Sequence, residues 1–152
     1  MNDEEIRRAL AQSPVLADLD PNALQFLAQF GTIRQFAVGD ALMRQGEPSV
    51  SIHFVLSGGV EVERQRRNDE RPVKFAELGV GQVVGEMGVL VNSPRSATVV
   101  ATSPTETLEL DAPSFERVAQ AFPMLHRVLA TLLSERLRKT SEQLSGRRAA
   151  DQ

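Results

Sequence analysis

Cysteine is absent from the 152 residues of this chain, and its absence narrows the chemistry the chain can perform. Without thiols there are no disulfides, thiolate zinc sites, cysteine-ligated iron–sulfur clusters or cysteine nucleophiles. The two histidines, His53 and His126, lie far apart and form no His-x-His pattern. Because a metal centre needs several ligands at fixed spacing, we expect no metal site. We interpret His53 as a core or surface residue and His126 as an exposed one.

Long apolar runs and a strong charge of one sign are also missing. No apolar run approaches the roughly 20 residues that cross a bilayer. The first twelve residues, MNDEEIRRALAQ, lack the apolar segment of a signal peptide. A formal net charge of −3 at pH 7 argues against a broad basic surface for nucleic acid. We therefore expect a cytoplasmic, soluble protein. It should have no membrane segment and should bind no nucleic acid by itself.

Apolar spacing and turn residues divide the chain into three zones. Residues 1–31 show helical spacing, with a new helix predicted after Asp20. Residues 32–111 contain short runs of β-branched and aromatic residues separated by glycines, which is typical of antiparallel strands. Residues 112–145 return to helical spacing and are interrupted at Pro123.

This order of zones predicts an α+β protein. We expect an antiparallel β-roll of jelly-roll type, with N-terminal helices before it and two C-terminal helices after it. A parallel α/β sheet is disfavoured because the chain shows no strand–helix–strand alternation. One domain is expected over residues 1–145, and residues 146–152 are predicted to be a disordered tail.

The segment 85–99, GEMGVLVNSPRSATV, combines groups that suit a ligand with both a phosphate and a sugar. EMGVL can form one helical turn whose free N–H groups attract an anion, and Arg95 adds a cationic fork. Ser96 adds a hydroxyl donor. Glu86 would repel that anion and needs a neutral donor, such as a sugar hydroxyl on the same ligand. The alternative is a structural Glu86–Arg95 salt bridge, with Ser96 capping a turn.

The order GEMGVL…PRSATVVA resembles the phosphate-binding cassette of the cyclic nucleotide-binding domain, predicted here at residues 84–99. This family includes catabolite-activator-type regulators, regulatory subunits of cAMP-dependent kinase and cyclic nucleotide-gated channels. The preceding stretch 36–62 resembles the first strands of the family fold. The following stretch 108–137 resembles its last strand and its two C-terminal helices. The resemblance covers nearly the whole chain and implies a stand-alone bacterial-type domain with the β-roll described above.

The resemblance also implies a role for individual residues. Arg95 would bind the exocyclic oxygens of a cyclic phosphate, Glu86 would accept from the ribose 2′-OH, and Ser96 would hydrogen-bond the phosphate. The other implied contacts are made around the backbone amides of Gly85, Met87, Gly88 and Ala97. In the family a residue of the final helix closes over the base; the candidates here are Arg136 and the apolar Leu132 and Leu133.

The chain departs from the family pattern at two apolar positions. Val84 stands where an aromatic residue is usual, and Val89 stands where leucine is common. Both residues remain apolar, so we expect altered packing and a retained site. Ser96 stands where cGMP-selective members often have threonine, which favours cAMP as the ligand and leaves cGMP open.

We therefore predict a cAMP-binding regulatory module without enzymatic activity and without a cofactor. Its final helix would close over the bound base and signal to an effector protein that the sequence does not name. The alternatives are a ligand-free interaction domain with the same fold, or a fragment of a larger cAMP-regulated channel, kinase or transcription factor. A homodimer through the leucine stripe of the final helix is a further expectation.

Overall fold

A computed structural model describes the backbone of residues 1–66, 70–91 and 93–151, and the surroundings of those among them up to Lys139, except Gly88. The helices are α1 (Asp3–Ala11), α2 (Pro21–Phe30), α3 (Met87–Leu90), α4 (Ala112–Ala121) and α5 (Met124–Asp151). The strands are β1 (Thr32–Phe36), β2 (Ala41–Met43), β3 (Ser51–Ser57), β4 (Gly59–Arg64), β5 (Val73–Gly79), β6 (Val83–Val84), β7 (Thr98–Ala101) and β8 (Thr105–Asp111).

The strands form two four-stranded antiparallel sheets. The first sheet has the order β1-β8-β3-β6, and the second has the order β2-β7-β4-β5. Within the first sheet, His53 of β3 lies opposite Glu109 of β8 on one side and Val84 of β6 on the other. The predicted antiparallel β-roll with flanking helices is therefore confirmed.

The helix starts follow from local capping chemistry. The side chain of Asp20 accepts a hydrogen bond from the amide of Asn22, 2.8 Å away, immediately before α2 begins at Pro21. Asp111 caps α4 in the same way, at 2.8 Å from the amide of Ser114. These caps satisfy amides that have no partner within the helix. The predicted interruption at Pro123 is confirmed as the break between α4 and α5.

The two faces of the first sheet differ in character because neighbouring strand residues point to opposite sides. Four residues of its outer face, Ile52, Phe54, Leu108 and Leu110, are buried in the larger apolar core with residues of α1, α2, α4 and α5. Its inner face carries polar residues: Ser51 and His53 on β3, and Thr107 and Glu109 on β8. A smaller apolar cluster contains Met43, Val60, Val84 and Val99.

The C-terminal helix is longer than the sequence pattern indicates. α5 continues to Asp151, so its backbone includes residues 146–151 of the predicted tail; Gln152 lies outside the described residues. The single domain and its boundaries stay predictions. Among the described residues, no helix is both long enough and apolar enough to span a membrane.

Candidate functional site

A cavity of about 750 Å³ lies between the roll and α5. This volume is in the range that holds a small-molecule ligand. The predicted site residues that line it are Gly85, Glu86, Met87, Arg95, Ser96, Ala97, Leu132, Leu133 and Arg136. Gly88 belongs to α3, and its surroundings lie outside the described residues. The fold therefore brings residues from the cassette and from α5 to one cavity.

Gly85 has a backbone conformation and an environment that favour glycine. Its φ angle is +83°, a region that L side chains rarely adopt. A Cβ atom at this position would lie 2.6 Å from Arg95 Nη1 and 3.0 Å from the carbonyl oxygen of Ser51. The glycine thus lets the cassette backbone approach the guanidinium group directly.

The turn predicted for EMGVL forms as the short helix α3. The amides of Val89 and Leu90 donate to the carbonyl oxygen of Glu86 at 3.2 and 3.1 Å. These two amides are therefore used within the turn and do not contribute free donors to an anion. The amides that the resemblance assigns to the ligand are different ones: those around Gly85, Met87 and Gly88 precede these two in the chain, and that of Ala97 follows them.

Arg95 is anchored within the roll by its backbone and by its side chain. Its amide donates to the carbonyl of Glu47 at 2.8 Å, and its carbonyl accepts from Gly46 at 2.9 Å. Its Nη2 donates to the carbonyl of Ser51 at 2.9 Å, and its Nη1 donates to the carbonyl of Gly85 at 3.4 Å. The residue is only 7% exposed.

The charge of Arg95 is only partly offset by its surroundings. Burial lowers the pKa of Arg95, while Glu109, Glu47 and Glu86 oppose that shift. Arginine remains protonated in proteins at neutral pH, so the cavity contains a desolvated cation held by neutral carbonyl oxygens. Such a group suits an anionic oxygen of a ligand.

Glu86 pairs with α5 and not with Arg95. Arg136 Nη1 donates to Glu86 Oε2 at 2.8 Å, across 50 positions of sequence. The Glu86 side chain is 7% exposed and that of Arg136 is 26% exposed. The Glu86–Arg95 salt bridge considered as an alternative is therefore replaced by a contact between the cassette and the final helix.

Ser96 is exposed at the cavity, and its backbone is held by a residue that the sequence did not indicate. Arg64 Nε donates to the carbonyl of Ser96 at 3.0 Å, and the Arg64 guanidinium carbon lies 5.0 Å from the centre of the Phe75 ring. Arg64 and Phe75 also line the cavity. They come together because β4 pairs with β5, with Arg64 opposite Val73, a register that local spacing does not reveal.

The histidines lie in different environments. His53 is 1% exposed on β3, and burial lowers its pKa to about 4, so it is neutral at neutral pH. His126 on α5 is partly exposed, with Nε2 3.6 Å from Glu116 Oε1. Among the residues that the structure describes, no group of three or more histidine and acidic side chains could hold a metal ion.

Comparisons with known proteins show which family the chain resembles. The model of the cyclic nucleotide-binding domain family matches residues 33–122. The chain is 30% identical over 127 residues to a candidate potassium channel protein of Rhodopseudomonas palustris, covering 84% of this chain and 30% of that protein. It is 33% identical over 132 residues to glutaminase 2 of Bradyrhizobium diazoefficiens, covering 84% of this chain and 20% of that protein.

Solved structures share the architecture. The catabolite activator protein of Thermus thermophilus superposes with a TM-score of 0.79 and 29% identity, covering 88% of this chain and 62% of that chain. The chain thus spans about a third or less of the length of the two curated relatives. The family model, the fold and the similarity to these proteins all indicate one assignment: the chain belongs to the cyclic nucleotide-binding domain family.

Proposed function

We propose that this domain binds cAMP and acts as a regulatory module, without enzymatic activity of its own. The observation that carries the proposal is the separation of two buried charges in one cavity. Arg95 contacts carbonyl oxygens of the roll, and Glu86 contacts Arg136 of α5. A ligand with an anion at one end and a hydroxyl donor at the other fits both charges.

The phosphate of the nucleotide is assigned to Arg95. The guanidinium group has five N–H donors, and Nη2 and Nη1 already contact the carbonyls of Ser51 and Gly85. These contacts use only part of the donor set and fix the orientation of the fork. The exposed hydroxyl of Ser96 and the amide of Ala97 supply neutral donors beside it.

The ribose is assigned to Glu86, which now contacts Arg136. A ribose 2′-OH that donates to Glu86 must share its carboxylate with Arg136 or displace Arg136. Either outcome changes the free energy of the contact between the cassette and α5. A ligand shifts a conformational equilibrium only by its difference in affinity for the two states, and this contact supplies such a difference.

The base is assigned to the space beneath α5, where Leu132, Leu133 and Arg136 line the cavity. Closure of this helix over the base is the proposed signal. A hundredfold preference of the ligand for the closed state corresponds to about 2.7 kcal/mol. We also propose that the signal is received by an effector protein and that the chain forms a homodimer through α5. We further propose that the protein is cytoplasmic. The chain could equally be part of a longer cAMP-regulated protein.

A second candidate function is favoured by the Arg136–Glu86 ion pair itself. The pair already gives Glu86 a charged partner without any ligand, as it would in a protein-interaction domain that kept the fold alone. The two functions differ in one measurable property, which is ligand binding.

Isothermal titration calorimetry of the chain with cAMP, cGMP and a cyclic dinucleotide tests the proposal, supported by thermal unfolding with each ligand at millimolar concentration. We expect saturable binding of cAMP, weaker binding of cGMP and a rise in Tm with cAMP. If none of the three ligands binds and the Tm stays constant, the interaction-domain function replaces the proposed one. If the dinucleotide alone binds, the ligand assignment is wrong.

A further inference from the structure

The inner face of the first sheet carries a row of polar residues beneath the cavity. Ser51, His53 and Thr107 are buried, at 4%, 1% and 0% exposure, and the side chain of Glu109 is 25% exposed. Buried polar groups are costly unless they are hydrogen-bonded, so the contacts of this row decide what it does.

The row connects directly to the cavity arginine. Ser51 Oγ donates to Glu109 Oε2 at 2.9 Å, and Arg95 Nη2 lies 3.3 Å from the same Ser51 oxygen. A serine hydroxyl has a single hydrogen. Because this hydrogen points to Glu109, a lone pair of the oxygen is available to accept from Arg95. Glu109 therefore sets the direction of the hydroxyl that Arg95 contacts.

His53 contacts the same carboxylate oxygen, Oε2 of Glu109. Its Nε2 lies 3.2 Å from Glu109 Oε2, and its Nδ1 lies 2.9 Å from Thr107 Oγ1. Burial keeps the ring neutral, and an ionised carboxylate only accepts hydrogen bonds. We therefore assign the proton to Nε2, which donates to Glu109, while Nδ1 accepts from the Thr107 hydroxyl.

Arg34 completes the set from the outer edge of the sheet. Its Nη1 donates to Glu109 Oε1 at 2.9 Å. Glu109 thus receives three donors, from three side chains on the two strands that flank β8. A carboxylate held in this way has one orientation. Among the contacts described above, Ser51 joins it to Arg95 by hydrogen bonds, and its negative charge also acts on Arg95 directly.

We propose that Glu109 is a positioning residue for ligand binding: it orients the Ser51 hydroxyl, which in turn fixes the Arg95 guanidinium toward the ligand phosphate. This inference rests on the proposed function, since it requires Arg95 to bind the phosphate. A purely structural role for the row predicts a different outcome, in which substitutions lower stability and leave ligand affinity unchanged.

A double-mutant cycle with Ser51→Ala and Glu109→Gln separates the two roles. The Kd for cAMP is measured by calorimetry on the wild-type chain, both single variants and the double variant, with thermal unfolding as the check of folding. Because each change removes or reorients one hydrogen bond, we expect each single variant to raise the Kd about two- to tenfold. The double variant should be no weaker than the weaker single variant, because both act through one hydroxyl.

Glu106→Gln is the matched control, since it makes the same chemical change on the same strand and should leave the Kd unchanged. A wild-type chain that binds no cyclic nucleotide overturns the proposed function, and the inference with it. A wild-type chain that binds, with an unchanged Kd for Glu109→Gln, overturns the inference alone. A double variant whose Kd is raised by the product of the two single-variant factors also overturns the inference. If Glu109→Gln does not fold, Ser51→Ala decides, and an unchanged Kd is again a refutation.

Discussion

The two ends of the cavity are built differently. At the arginine end, Arg95 contacts Ser51 and Gly85 within the roll, and its backbone pairs with the loop before β3. At the glutamate end, Glu86 contacts Arg136, which belongs to a separate helix. The arginine end is therefore fixed by the sheet, while the glutamate end depends on where α5 lies.

Under the proposed function, this difference separates ligand binding from signalling. A charged group held in one position within the roll can bind an anion without any rearrangement, which favours affinity. A carboxylate already paired with a helix can only gain a ligand contact by altering that pair, which links occupancy to helix position. Substitutions at the arginine end should therefore change affinity most, and substitutions at the glutamate end should change the response more than the affinity.

Arg95→Ala should have the largest effect. Truncating one partner of a buried, hydrogen-bonded charge contact costs about 2–5 kcal/mol, so we expect cAMP affinity to fall by at least an order of magnitude. The fold should persist, because the backbone bonds to Glu47 and Gly46 do not involve the side chain. Calorimetry measures the loss, and Arg44→Ala, an exposed arginine on the loop after β2, is the control. An unchanged Kd for Arg95→Ala would remove the arginine end from the site.

The buried histidine beneath the arginine end should make stability depend on pH. The folded pKa of His53 is about 4, below the 6.5 of the unfolded chain, so the unfolded state binds more protons between these values. The contribution of the neutral His53 to the free energy of unfolding is complete above pH 6.5. It decreases by about 3 kcal/mol in total as the pH falls toward 4. Denaturant unfolding between pH 7.5 and 4.5 measures it.

The matched variants are His53→Gln and His126→Gln. The first should flatten the pH dependence of the unfolding free energy over this range, and the second, which changes a partly exposed ring, should not. Equal slopes for the wild-type chain and His53→Gln would show that the polar row does not hold a neutral histidine.

Gly85→Ala tests the close approach that joins the two ends. The positive φ angle and a Cβ atom 2.6 Å from Arg95 Nη1 should destabilise the fold by about 1–3 kcal/mol and weaken cAMP binding. Gly39→Ala is the control, because Gly39 has a φ of +89° but nothing within 4 Å of its Cβ position. Any loss of stability beyond that of Gly39→Ala reports the contact between the new Cβ atom and Arg95. Equal losses of stability, with unchanged affinity, would contradict the role of Gly85.

Arg136→Ala should have the smallest effect on affinity. The ion pair is partly exposed, so its removal should change cAMP binding by less than tenfold. The ratio of cAMP to cGMP affinity should change more clearly, because Arg136 lines the part of the cavity assigned to the base. Calorimetry with both nucleotides measures the ratio, with Arg138→Ala on the exposed surface of α5 as control. Identical ratios before and after the change would count against a role in closure.

Local patterns predicted much of the fold correctly. The helix after Asp20, the break at Pro123 and the strand region follow from capping chemistry, proline geometry and alternation, all of which act over a few residues. The cassette segment could be interpreted as a site because its glycines, acid, arginine and serine are close in sequence. The extent of α5 could not be predicted, because the polar segment 146–151 carries no apolar periodicity to indicate a helix.

The sequence by itself determined which chemical groups the candidate site contains: Glu86, Arg95 and Ser96 in one short segment, with Gly85 to let the backbone turn. Only the tertiary structure decided their partners. Arg95 contacts Ser51 across 44 positions, and Glu86 contacts Arg136 across 50. Such pairs depend on strand register and on helix packing against the sheet, which are set by the burial of the whole core. No local spacing carries that information.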